Sequence, residues 1–122
     1  MGISFEDLVV WQRAMDLVTE IYRVTRSFPK DELYGLTSQL RRAATSVPSN
    51  IAEGRGRLSE KEFQHFLGNA RGSLMEVRTQ LQIARNLHYL DDHQARDLLA
   101  QADEVGRLLN GLLTTLRRPV ES

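Results

Sequence analysis

The residue types that most often carry catalysis are few in this sequence, and they form no familiar site. Glu62 and His65 have the spacing of a carboxylate-bridged di-iron bundle, but that site needs a second pair and two more carboxylates on facing helices. Segment 54–57 lacks the lysine and hydroxyl residue of a phosphate-binding P-loop. Ser46 and Ser49 have no neighbouring base, and there is no cysteine. We therefore expect no enzyme activity, no metal and no cofactor.

Arginine is the remaining chemical signal, since 14 of the 16 basic residues are arginine. Sixteen acidic residues balance them, and zero net charge excludes a protein that coats nucleic acid by bulk charge alone. The balance is uneven, because residues 35–90 hold eight basic and four acidic side chains and the remainder holds eight and twelve. A guanidinium group can bind a phosphate through two parallel hydrogen bonds. We expect contact with RNA or DNA through seven arginines: Arg41, Arg42, Arg55, Arg57, Arg71, Arg78 and Arg85.

Three of these arginines recur every seven residues and predict a ridge on the outer side of one helix. They are Arg71, Arg78 and Arg85. A solvated face with no ligand is the alternative for a single molecule. In a symmetric oligomer the ridge would be repeated, and avidity would strengthen a modest contact.

The elements that position these residues are helices. Apolar residues recur at intervals of three and four in four blocks, which predicts four amphipathic helices and no sheet. Capping signals and prolines, with Pro119 as the last stop, place the helices at roughly 5–28, 32–54, 59–88 and 91–117. Helices of this length joined by short turns predict one domain, 1–122, with an all-α fold, an antiparallel up-down four-helix bundle.

Two helices contain residues that disfavour helical structure. Pro48 lies within the second and predicts a kink, because it removes a backbone donor. Gly68 and Gly72 in the third are spaced by four and predict a close contact with another helix, with a hinge as the alternative. We assign structural roles, in preference to ligand binding, to four residues of one motif: Pro48, Asn50, Glu53 and Gly54.

The first helix is apolar over about 200° of its circumference, more than the stripe of about 100° that one core requires. A second buried surface explains the excess, because large exposed apolar patches usually mark interfaces. We predict an oligomer interface formed by a second stripe: Leu8, Trp11, Met15, Val18 and Tyr22. The alternative is that Trp11 and Tyr22 tuck under neighbouring loops.

The sequence predicts a cytoplasmic, soluble location. Acidic residues follow within seven positions of Met1, which differs from a secretion signal. No run of 18 apolar residues predicts a membrane span, and the lack of cysteine suits a reducing compartment.

The chain resembles the small bacterial four-helix-bundle proteins of the 23S ribosomal RNA intervening-sequence family, also labelled S23 ribosomal proteins. The resemblance runs from about Phe5 to Arg117. The residues that carry it are segments 5–12, 32–36, 39–43 and 49–54, with Phe28, Pro29, Gly72, Ser73 and Glu76.

The resemblance implies a homopentameric, barrel-like ring with no assigned activity. Relatives include the accessory variability determinant of diversity-generating retroelements, which associates with a reverse transcriptase and nucleic acid. We therefore expect a non-catalytic interaction scaffold that binds RNA or DNA through its arginines. The alternative is a purely protein-binding module that docks a polymerase-type protein and makes no contact with nucleic acid.

Overall fold

Four α-helices make up most of the described chain, which is residues 4–117 of a computed structural model. Each helix packs against the next and the fourth packs against the first, while the backbones of the diagonal pairs α1–α3 and α2–α4 lie further apart among these residues. Together with the absence of strands in residues 4–117, this confirms the all-α, four-helix prediction. The helices are α1 Val9–Thr25, α2 Leu36–Arg55, α3 Glu60–Asn86 and α4 Asp92–Arg117.

The first helix is shorter than predicted, because its beginning is a separate turn. Phe5–Asp7 forms one turn of 3-10 helix, in which the Ser4 hydroxyl accepts a hydrogen bond from Glu6 N–H at 3.3 Å. Leu8 is then extended, with φ −74° and ψ 126°, and α1 begins at the next residue. The residues predicted as one helix, 5–28, are therefore divided between this turn and α1, which ends at Thr25.

The other helix boundaries also follow local geometry. A second 3-10 turn covers Lys30–Glu32, and Gly35, with φ −115° and ψ −115°, separates that turn from α2. At the end of α3, His88 has φ 62°, a left-handed conformation that stops the helix. Asp91 and the Gln94 side chain cap α4 reciprocally, with backbone-to-side-chain bonds of 2.7 and 3.1 Å. Pro119, predicted to end α4, lies outside the described residues.

Each helix buries one apolar stripe in a shared core. Leu40 and Ile51 of α2, Leu67 and Leu81 of α3, and Leu109 of α4 have no exposed surface. Burying a side chain of this size stabilises the fold by about 1.5–3 kcal/mol. The rest of each helix is polar enough that none within residues 4–117 could cross a bilayer.

Pro48 is buried inside α2, and the helix continues through it to Arg55. The proline leaves the carbonyl of Ala44 without its usual helical donor. One turn earlier, the Thr45 hydroxyl donates to the carbonyls of Arg41 and Arg42 at 3.0 and 3.1 Å. The kink expected at the proline stays a prediction.

Candidate interaction surfaces

Helix α2 approaches α3 very closely at Gly54. A Cβ atom on Gly54 would lie 2.6 Å from Cβ of Phe66 and 3.0 Å from Cδ1 of Phe63. No side chain fits there, so only glycine allows α2 to rest against this part of α3. Gly54 thus lies inside α2, which continues to Arg55. Of the two glycines at which the sequence could end this helix, Gly54 and Gly56, the second is its C-cap.

Small polar side chains join the same two helices further along. The hydroxyl oxygens of Ser46 and Ser73 lie 2.9 Å apart. The Asn50 side-chain amide donates to the Ser46 carbonyl at 2.8 Å and to the Ser46 hydroxyl at 2.9 Å. The Asn50 amide nitrogen thus bonds within α2, which agrees with the structural role predicted for Asn50.

Glu32 and Tyr89 fix the opposite end of α2. One carboxylate oxygen of Glu32 accepts the Leu36 N–H at 3.1 Å, and the other accepts the Tyr89 hydroxyl at 2.9 Å. The bond to Glu32 raises the pKa of Tyr89 above its ordinary value of 10.0, and burial and the charges of Glu32 and Asp31 raise it further. A Cβ on Gly35 would lie 2.8 Å from the Glu32 oxygen that accepts the Leu36 N–H, so a larger residue here would displace that side chain.

Arg41, predicted to contact phosphate, is bound to α1. Its Nε donates to the hydroxyl of the buried Thr25 at 2.9 Å, and its guanidinium lies 4.7 Å from the centre of the Tyr22 ring. A cation–π contact of this kind contributes about 0.5–1 kcal/mol. Arg41 therefore links two helices of the bundle.

The arginines near the end of α2 differ in their surroundings. Arg57 binds Glu53 at 2.7 Å, and its guanidinium lies 4.8 Å from the centre of the Phe66 ring. Both side chains of this ion pair are about half exposed, so it adds little to stability, and the structural role of Glu53 stays a prediction. Arg42 and Arg55 make no ion pair with any other residue between 4 and 117.

The predicted ridge of Arg71, Arg78 and Arg85 lies along the boundary between α3 and α4. Each of the three side chains contacts a residue of α4. Arg71 donates to Asn110 at 3.1 Å, Arg78 forms an ion pair with Asp103, and Arg85 pairs with Asp92 at 3.1 Å. Two of the three charges are thus balanced within the chain, and phosphate binding by the ridge stays a prediction.

The second apolar stripe of α1, called here the α1 face, comprises Leu8, Trp11, Met15, Val18 and Tyr22. Three of its members are half-buried against the edge of the core, and the Phe5 ring packs edge-on against Trp11 with centroids 5.4 Å apart. The alternative, that these aromatic rings tuck under neighbouring segments, thus describes Trp11 but not Tyr22. Met15 and Tyr22 remain 38% and 40% exposed, so an apolar surface stays open in the single chain.

A second uncharged surface, missed by the sequence analysis, lies on the solvent side of α3. We call it the α3 face and define it as Gly68, Gly72, Met75, Thr79 and Ile83. A Cβ on either glycine would meet nothing within 4 Å, so the predicted close contact at Gly68 and Gly72 within the chain is wrong. Met75 and Ile83 are 49% and 42% exposed. The signal in the sequence was a row of uncharged positions at helical spacing.

Glu62 and His65 do not form a di-iron site with other described residues. The Glu62 N–H donates to the Ser59 hydroxyl at 3.1 Å, which caps α3. The exposed His65 ring packs edge-on against Phe66 with centroids 5.7 Å apart. Within residues 4–117, no group of three or more histidine, aspartate and glutamate side chains is placed to hold a metal ion.

Comparison with known proteins places this bundle among relatives without an assigned function. A crystal structure of a protein of unknown function from the S23 ribosomal protein family of Bacteroides thetaiotaomicron has the same fold, with a TM-score of 0.78. It is 20% identical, and the match covers 86% of this chain and 98% of that one. No curated protein matches the sequence. The family model described as 23S rRNA-intervening sequence protein matches residues 6–111, and the chain therefore belongs to the 23S rRNA-intervening sequence protein family.

Proposed function

We propose that this protein is a non-catalytic scaffold that assembles with copies of itself and binds a macromolecular partner. The observation that carries the proposal is the α1 face, where Met15 and Tyr22 remain more than a third exposed on a helix whose other side is buried. Apolar side chains grouped on one surface gain free energy when a partner excludes water from them. The resemblance to ring-forming relatives suggests five copies.

The polar residues are consistent with a structural rather than a chemical role. Asn50 bonds within α2, Glu32 and Tyr89 hold the end of that helix, and Arg41 bridges to α1. In each case the hydrogen-bonding group is already satisfied by a neighbour in the fold. The partner class that suits such a protein is another protein, and the resemblance points to a polymerase-type one.

Light scattering on the purified chain tests self-assembly. We expect a mass close to five times the 13.9 kDa of one chain. Met15→Arg should reduce the mass to that of one chain, because a charge would be buried in an apolar contact. Thr114→Arg, at an exposed position of α4, is the matched control and should leave the mass unchanged. A wild-type mass of 13.9 kDa at micromolar concentration would overturn the proposal.

Nucleic-acid binding is a second candidate. It is favoured by three of the seven predicted arginines, which have neither an ion pair nor a contact with an aromatic ring among residues 4–117: Arg42, Arg55 and Arg71. Repetition around an oligomer would multiply their weak individual contacts. Its test is binding of a labelled single-stranded RNA or DNA as a function of salt, because phosphate contacts weaken steeply as salt rises. We expect Arg42→Glu with Arg55→Glu to abolish binding and Arg96→Glu to retain it. Binding that ignores both salt and these changes would contradict this candidate.

A further inference from the structure

The α3 face is a surface without charge on an otherwise charged molecule. Its five residues occupy neighbouring positions on one side of α3 over about 22 Å of helix. Two are open glycines, Gly68 and Gly72, and two are exposed apolar side chains, Met75 and Ile83. A Cβ is missing where the helix is exposed, so another helix could approach the backbone closely there.

The α1 face has the opposite shape: its side chains project, whereas the α3 face has a recess at its two glycines. It offers large side chains, with Met15 and Tyr22 projecting from a helix that has no glycine. The two faces lie on helices that are diagonal in the bundle, since the backbone of α1 lies close to those of α2 and α4 but further from that of α3 among the described residues. They therefore point away from each other, and one chain cannot bring its own two faces together.

Contacts with α2 indicate that the two faces lie at similar heights along the bundle. Tyr22 lies over Arg41, and Ser73 contacts Ser46. Five residues of α2 span about 7.5 Å between these levels, and the seven residues from Tyr22 back to Met15 span about 10 Å in the same direction. Met15 therefore lies within about 3 Å of the height of Ser73, beside the second glycine of the α3 face.

One pair of charged residues at the edges of the two faces, Asp16 and Arg71, is complementary. Asp16 borders the α1 face on its α4 side, where it shares a groove with Glu104, and its ion pair with Arg13 is long, at 3.6 Å. Arg71 borders the α3 face, also on its α4 side, where it contacts Asn110. When two bundles pack in parallel, with α1 of one copy against α3 of the next, the α4 sides of the two faces lie next to each other. Asp16 of one copy then faces Arg71 of the next.

We infer that the α3 face receives the α1 face of a second copy, with the bundles parallel and Met15 seated over Gly68 and Gly72. This inference rests on the proposed self-assembly and names the surface that completes it. Because two unlike faces pair, the contact is head-to-tail, and a head-to-tail contact generates a ring when the rotation closes. It would cover Arg71 and leave Arg42 and Arg55 for nucleic acid.

The first test is a pair of glycine substitutions measured by light scattering. Gly72→Arg places a long charged side chain on the α3 face and should reduce the assembly to single chains. Gly111→Arg is the matched control, since Gly111 is also an exposed helical glycine with nothing within 4 Å of a Cβ, but it lies on α4. Arginine favours helix more than glycine does, so both variants should keep the helical circular dichroism of the wild type.

The second test mixes two variants that are each defective in one face. Met15→Arg keeps an intact α3 face and Gly72→Arg keeps an intact α1 face, so the mixture should form a species of two chains, twice 13.9 kDa, and nothing larger. Each variant alone should remain a single chain. If each face instead paired with its own kind, each variant alone would dimerise, and the inference would be wrong.

The outcomes separate this inference from the proposed function. A wild-type assembly that Gly72→Arg leaves intact overturns the pairing of the two faces and leaves self-assembly in place. A wild type that is a single chain overturns the proposed function and the inference together. Loss of assembly in Gly72→Arg but not in Gly111→Arg, with a two-chain species on mixing, supports both.

Discussion

Glycines lie on the inner and the outer side of α3, and their surroundings differ: on the inner side a glycine is tightly packed, and on the outer side two glycines are open. On the inner side, Gly54 of α2 allows the rings of Phe63 and Phe66 to lie against the α2 backbone. On the outer side, Gly68 and Gly72 of α3 itself face empty space. A glycine spaced by four from another therefore does not by itself indicate a contact. What indicates one is a large residue on the opposing helix at the same height.

Replacing Gly54 should have the largest effect on the fold. In Gly54→Ala the new methyl group would lie 2.6 Å from Cβ of Phe66, an atom fixed to the α3 backbone, so the two helices must move apart. Overpacking of this kind outweighs the gain in helix propensity, and we expect a loss of about 2 kcal/mol in the free energy of unfolding. Urea denaturation measures it.

Gly56→Ala is the control for this change. Gly56 has φ −79°, and its Cβ would meet only backbone oxygens, at 3.6 and 3.7 Å. Its free energy of unfolding should stay within about 0.5 kcal/mol of the wild type. Equal stability of the two variants would show that the contact at Gly54 is looser than the structure indicates.

Replacing Gly68 should have a smaller effect of the opposite sign. In single chains, kept apart by Met15→Arg, Gly68→Ala should raise the free energy of unfolding by about 1 kcal/mol, because alanine favours helix and nothing lies nearby. Gly106→Ala, whose Cβ would lie 3.4 Å from Leu74, should gain less. A loss of stability in Gly68→Ala would mean that the chain does make a contact there, and the comparison between the two sides of α3 would fail.

The helices could be predicted from the sequence, because spacing and caps are local. The reciprocal cap of Asp91 and Gln94 is present, and α4 begins at Asp92, within one residue of the predicted start. The start of α1 could not be predicted, because the 3-10 turn at Phe5–Asp7 is held partly by the contact of Phe5 with Trp11. That contact depends on the path of the backbone before α1, which the residue types alone do not specify.

The surfaces were harder to predict than the helices. The sequence identified the α1 face, because an apolar arc wider than one core requires is visible in a single helix. It did not show that the arginine ridge lies beside Asp92 and Asp103, because which helices are neighbours, and at what height, follows from the packed bundle. For the same reason the sequence predicted a close helix contact at Gly68 and Gly72 but did not show that no helix of the same chain lies there among residues 4–117.

The smallest expected effect concerns the end of α2 opposite Gly54, where a hydrogen bond joins the 3-10 turn before α2 to the segment that follows α3. Because the Glu32 carboxylate accepts the Tyr89 hydroxyl, the folded state holds this proton more tightly than the unfolded state, and the pKa of Tyr89 is raised. The bond stabilises the fold at pH values below about 10 and is lost as the pH rises through the raised pKa.

Tyr89→Phe should therefore lower the urea midpoint at pH 7 and lose less stability than the wild type between pH 9 and 11. Tyr34→Phe, at a side chain that is 93% exposed, is the matched control and should follow the wild type throughout. If Tyr89→Phe also followed the wild type, close packing at Gly54 and the core would be enough to hold α2 against α3, and the hydroxyl bond would add nothing measurable.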